Sequence, residues 1–179
     1  MKKLLFLLMI PVFAFSQEEV EQFEMTPTGI NGYVVVDYPG KTVDELFMAG
    51  KRWAEYTITK AEAAKKSEIV NEYLNYSIYY PGALLTEKGA NAGFDAKLDI
   101  EFRVKNGKIR YDIQLLDVRS ASGGGFSITG GFFNWSFYNN KGKIKSNMAY
   151  PLEEFNRLAN KIVIEVSDYV EHDKDNTDW

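Results

Sequence analysis

Phe94-Asp95-Ala96-Lys97-Leu98-Asp99-Ile100-Glu101-Phe102-Arg103-Val104-Lys105, then Asn106-Gly107, then Lys108-Ile109-Arg110-Tyr111-Asp112-Ile113-Gln114-Leu115 is the stretch whose reading decides the fold. Apolar and polar residues alternate along both arms. Neighbouring strand side chains point to opposite faces, so each arm has one apolar and one charged side. Asn106-Gly107 is the favoured pair for a two-residue hairpin turn, whose mirror form needs positive φ at both positions. A two-residue turn sets Val104 opposite Ile109, Phe102 opposite Tyr111, and Ile100 opposite Ile113. One face is then apolar and the other polar, the signature of a sheet covered on one side. The same register sets Arg103 opposite Arg110 and Glu101 opposite Asp112, unfavourable pairs of like charge. The diagonals Arg103–Asp112 and Glu101–Arg110 are expected to offset the cost, on a solvated face.

Outward from the ribbon, weaker signals complete an α+β pattern. Upstream, residues 67–81 read as a short hairpin turning near 72–75 and rich in tyrosine, with a loop over 82–93. Before it, Thr42 and Glu45 have the spacing of a capping box, followed by a helix with Val43, Leu46, Phe47, Trp53 and Ala54 on one stripe. Gly50 lies inside that helix, where close packing on a sheet would explain it. Gly32-Tyr33-Val34-Val35-Val36-Asp37-Tyr38 is a strand stopped by Pro39-Gly40. Downstream, 120–125 is a Ser/Gly loop and 126–128 a short edge strand. Residues 132–138 and 143–148 suggest a weak hairpin. A last helix begins near Pro151, with Leu152, Phe155, Leu158, Ile162, Val166 and Tyr169 as its buried stripe.

The 179-residue chain opens with Lys2-Lys3, an apolar run over 4–15, and Ala14-Phe15-Ser16 at the spacing that a signal peptidase reads. The run is shorter than the ~20 residues of a membrane span. The expected organisation is a signal peptide over 1–16, a loose leading segment over 17–31, one domain over 32–170 and a charged tail over 171–179. Without the signal, which carries two lysines and no acid, the formal charge falls from −4 to −6. An acidic chain is poorly suited to hold phosphate backbones, so nucleic acid is not an expected partner. With no cysteine, the fold must rest on burial and hydrogen bonds.

The words 32–42, then Asp44-Glu45-Leu46 leading to Trp53, and the ribbon around Asn106-Gly107 with Arg110-Tyr111 resemble a bacterial family of exported proteins. That family is the domain of unknown function 4468, with a TATA-binding-protein-like (TBP-like) fold. The resemblance covers about residues 30–120 and implies a β-α-β4-α order, an antiparallel sheet with both helices packed on one face. It implies no activity and no functional residues, and the fold's name carries no DNA binding with it.

Catalytic patterns fail by inventory. The single histidine, His172, lies in the charged tail, which leaves a Ser-His-Asp arrangement without a fixed base and conventional zinc sites without ligands. Gly125-Phe126-Ser127-Ile128-Thr129 lacks the closing glycine of a nucleophile elbow, and Gly131-Phe132 stands where a phosphate loop needs Lys-Ser/Thr. Asp99, Glu101 and Asp112 share the polar face, with Asp99 and Glu101 ~7 Å apart, within reach of acid/base hydrolysis. Lys97, Arg103 and Arg110 are expected to neutralise them. In 132–138, alternation sets Phe133, Trp135 and Phe137 on a core face, leaving Phe132 and Tyr138 as candidate binding residues on the other. The expectation is a non-enzymatic periplasmic or secreted binding module with no cofactor, no metal and no stable membrane span. Its partner would be an envelope protein or a small ligand. Edge-to-edge assembly and a carboxylate hydrolase are the alternatives.

Overall fold

The computed structural model describes residues 18–58, 62–90, 93–120, 126–129 and 135–172. Five strands form the main sheet: β3 (Val34–Asp37), β4 (Glu62–Ile69), β5 (Tyr73–Leu85), β6 (Gly93–Lys105) and β7 (Lys108–Arg119), in the order β3-β7-β6-β5-β4 and all antiparallel. Helices α1 (Val43–Ile58) and α2 (Ala149–Glu171) pack on one face. Strand β3, helix α1, four strands and helix α2 give the β-α-β4-α order of an α+β fold.

The ribbon has the expected register, with Val104↔Ile109, Phe102↔Tyr111 and Ile100↔Ile113. All six are buried and face the helices. Trp53 of α1 meets Phe102 edge-on, and Phe102 meets Tyr111 in the same way, each at 5.5 Å between ring centroids. Such pairs add about 0.5–1.5 kcal/mol beyond the area they bury. The turn differs from expectation. Gly107 has φ +71°, but Asn106 is not at positive φ, so the mirror turn is not formed. The reason is tertiary: the Tyr38 amide donates to the Gly107 carbonyl at 2.7 Å, and the Gly107 amide to Lys41 at 3.1 Å.

At α1 the capping box is complete. The Thr42 amide donates to Glu45 Oε2 at 2.8 Å, and the Glu45 amide to Thr42 Oγ1 at 3.3 Å. Losing such a cap costs ~1 kcal/mol. The first hairpin is longer than its sequence suggests, running 62–85 with its turn at 70–72, where Asn71 has φ 60°. Strand β5 therefore occupies residues that read as loop, because pairing with β6 resumes at Leu84↔Phe94 after an irregularity. Helix α2 starts two residues before Pro151, following a 3₁₀ turn over Ser146–Met148. Pro151 still costs no hydrogen bond there, since first-turn amides have no helical acceptor. Ala159 and Val170 join the buried stripe, with Leu158 and Tyr169 at its margin, as the 3.6-residue period carries the stripe around a long helix.

Two further corrections shape the surface. The leading segment is not loose: β1 (Met25–Thr26) and β2 (Gly29–Ile30) pair, and Phe23 and Met25 are buried in the core. Asn160 Oδ1 accepts from the Phe23 amide and its Nδ2 donates to the Phe23 carbonyl, while Asn156 Oδ1 accepts from Met25, all at 2.8 Å. Side chains of α2 thus stand in for a neighbouring strand. The second correction concerns β8 (Phe126–Thr129) and β9 (Trp135–Tyr138), which pair parallel with each other. The expected hairpin with 143–148 reduces to one bridge, Tyr138↔Ile144.

Candidate functional site

The open face of the sheet carries the three candidate carboxylates, and each is held by a cation. Asp99 Oδ2 lies 2.7 Å from Lys66 Nζ. Glu101 accepts from Arg103 Nε at 2.5 Å and from the Tyr73 hydroxyl at 3.0 Å. Asp112 takes two bonds from Arg110, at 2.7 and 2.8 Å, and the Arg110 guanidinium lies 3.6 Å above the Tyr33 ring. For Glu101 and Asp112 the direct ion pairs run along a strand, between residues two apart, while the diagonals Arg103–Asp112 and Glu101–Arg110 add attraction at longer range. Lys66 serves Asp99 in place of Lys97, because the β4 irregularity at 65–67 brings it over the face. Parts of the face are also dry. Asp112 is 6% exposed, Asn75 and Ser77 are buried, and Asn75 Oδ1, Ser77 Oγ and Asp99 Oδ1 lack partners. A cleft of about 450 Å³ at the hairpin end sets Arg103, Lys105, Lys108 and Arg110 against Glu19 and Asp37. With Lys108 on Asp37 at 2.8 Å, and the arginines engaged as above, its charges are largely matched within the protein.

Tyr138 is not a surface residue. It is 5% exposed, and its hydroxyl donates to the Met25 carbonyl. Phe137 packs on Phe155 with centroids 6.3 Å apart, and Ser136 is fully buried. Alternation fails here because β9 is enclosed on both sides, with the docked leading segment covering the face that would otherwise be free. Phe132, its expected companion, lies outside the described residues.

The site that sequence reasoning missed lies where the C-terminal halves of both helices meet the irregularity of β5. Asp95 sets this up: its Oδ1 accepts from the Gly82 amide at 2.7 Å, and its other oxygen takes the Tyr79 hydroxyl. The chain bends at Pro81-Gly82, and Tyr80 and Ala83 stand beneath the helices. A cleft of about 700 Å³ results, walled by Trp53, Tyr56, Tyr80 and Tyr169, with Glu165, Asp168 and Lys161 on its α2 side. That volume suits a small-molecule site. Tyr56 is 53% exposed and its ring centroid lies 6.4 Å from that of Tyr169. Glu165 is fixed from both sides, by Trp53 Nε1 at 3.0 Å and by Lys161 Nζ at 3.2 Å. Burial, reinforced by the Glu165 charge, pushes the Tyr80 hydroxyl well up, so it remains a neutral phenol. The arrangement can hold a flat or compact ligand against aromatic faces beside carboxylates.

The only sequence signal for this cleft was Tyr79-Tyr80-Pro81-Gly82, aromatic residues running into a chain breaker. Trp53 and Tyr169 read as core stripe. Among the described residues, no group of His, Cys, Asp or Glu converges to hold a metal ion, and no helix is long and apolar enough to cross a membrane.

No protein-family model and no curated protein matches the chain. Among solved structures, it is similar to a DUF4468 family protein from Bacteroides ovatus, with a TM-score of 0.65 at 8% identity, covering 88% of this chain and 92% of that one. A TBP-like protein from Parabacteroides distasonis gives a TM-score of 0.48 at 12% identity, over 76% of this chain and 91% of that one. With so little identity, what the first likeness shows is shared architecture: this chain has the fold of a DUF4468 family protein, the fold that the resemblance of its sequence implied.

Proposed function

We propose that the protein is an exported, non-catalytic binding module whose ligand occupies the cleft between α1, α2 and β5. The observation that carries this reading is the grouping of four aromatic side chains and two carboxylates around one concavity of small-molecule size. Export is read from the first sixteen residues, and a module working in the cell envelope follows from it. The carboxylates of the open sheet face favour a structural role over hydrolysis, since Asp99, Glu101 and Asp112 each engage a basic side chain. Edge assembly is disfavoured at β4, where Lys65, Lys66 and a break in register blunt the strand.

A broad library of small molecules, glycans and short peptides, followed by amide NMR, tests the reading. Binders should move the resonances of Tyr56, Tyr80 and Tyr169. Replacing Ala83 with tryptophan, which fills the cleft, should abolish those shifts while leaving the far-ultraviolet spectrum intact. Binders that instead move Tyr33, Arg103 and Arg110 would overturn the assignment in favour of the open sheet face.

A further inference from the structure

We infer that the ligand of this cleft is an organic cation, a primary or quaternary ammonium group carried on a small body. The inference rests on the cleft being the ligand site and adds the chemical class. Four features of the cavity converge on it.

The first is the wall. The tilted pair Tyr56 and Tyr169, with Tyr80 below, presents electron-rich ring faces. A cation over the face of such a ring is attracted by the ring quadrupole.

The second is the arrangement of charge. Glu165 and Asp168 are three residues apart on α2, hence neighbours on one side of the helix. Among the described residues Lys161 is the one basic residue lining the cleft, and it is already engaged with Glu165. Among the described residues the Asp168 carboxylate has no ion-pair partner. The described lining therefore keeps a negative balance after its internal pair is counted, unlike the cleft on the open face.

The third is the backbone. Thr57 lines the cleft from the last turn of α1, and neither helix has a basic residue in its last turn. The partial negative charge at the end of α1 is thus not offset from within the helix, and it favours a cation.

The fourth is the supply of hydrogen bonds. Trp53 Nε1 donates to Glu165, and Lys161 Nζ pairs with the same carboxylate. The hydroxyls of Tyr56, Thr57, Tyr80 and Tyr169 can accept as well as donate, so together with the two carboxylates they give an ammonium group, all donors, acceptors to bond.

Choline, cadaverine, the uncharged carbon isostere of choline and maltose, titrated separately and followed by amide NMR at low and moderate salt, decide the matter. Choline or cadaverine should move the Tyr56, Tyr80 and Tyr169 amides, with binding about tenfold tighter than the isostere, equivalent to ~1.4 kcal/mol. Asp168→Asn, at an exposed position of α2, should weaken the amine about fivefold or more without altering the thermal transition. Tyr56→Ala should also weaken it, by removing a ring face. Equal binding of the isostere, or binding of maltose alone, overturns the cationic inference and leaves the cleft as the ligand site. Amines that move no cleft resonance overturn the inference too, whereas library ligands that all bind elsewhere overturn the site itself.

Discussion

Gly50 lies mid-helix in α1, where glycine costs ~1 kcal/mol relative to alanine. Close approach to the sheet does not demand it: an added Cβ would meet Leu74 Cδ1 at 3.5 Å and Phe102 Cδ2 at 3.7 Å, ordinary contact distances. Gly50→Ala should therefore stabilise the protein by about 0.5–1 kcal/mol, read as a higher denaturation midpoint at unchanged slope. A lower midpoint would mean that the helix cannot accept even a methyl group over Phe102. The same scale separates what local sequence can reveal from what it cannot. Thr42 and Glu45 were legible because a cap is a contact across three residues, closed by their own backbone. Tyr138 was not, because its burial is decided by Met25, more than a hundred residues away.

At the scale of elements, the leading segment carries the largest surprise. Its acids and Thr-Pro-Thr-Gly word read as loose chain, yet Phe23 and Met25 are core residues. Two features hold it. Asn156 and Asn160 satisfy its backbone as a strand would, and Gly32, at φ +53°, allows the backbone of Glu18 to approach where any Cβ would lie 1.8 Å from the Glu18 carbonyl oxygen. Asn160→Ala leaves the amide and carbonyl of Phe23 without partners and should cost about 1–3 kcal/mol. The loss should appear as faster hydrogen exchange at Phe23 and Met25, with the β6–β7 amides protected as before. Uniform loss of protection would show that the segment unfolds only with the whole domain. Strands β6 and β7 stand at the other extreme: alternation announced them, and pairing obeyed it over the eight residues on either side of the turn.

At the scale of the whole molecule, the interior holds Tyr38, Tyr76, Tyr111 and Tyr138. Burial raises the hydroxyls of Tyr38, Tyr80, Tyr111 and Tyr138, and takes Tyr76 to about 12. Tyr38 bonds Tyr111 at 2.9 Å and Ser167 at 2.6 Å, linking the chain after β3, strand β7 and helix α2. The unfolded chain releases these protons near the ordinary tyrosine value of 10.0, while the native state retains them. Above that pH the native state holds more protons, so the stability is whole below about pH 10 and is lost as the pH rises through the native values. Equilibrium denaturation from pH 7 to 12 should show a steep fall beginning near pH 10. The Tyr111→Phe variant, which keeps the Tyr38–Ser167 bond, should fall less steeply. A flat profile would mean that these hydroxyls ionise in the native protein without penalty.

Read alone, the sequence determined the ribbon, its register, the buried side of each helix and the α+β class, because period and capping are short-range consequences of backbone geometry. Tertiary structure decided which polar groups pair, where the leading segment docks, that Tyr138 is enclosed and that Trp53, Tyr56, Tyr80, Glu165, Asp168 and Tyr169 surround one cleft. Those side chains come from three segments spread along the chain. Their meeting depends on how helices cross a bent strand, which no local pattern of residues encodes.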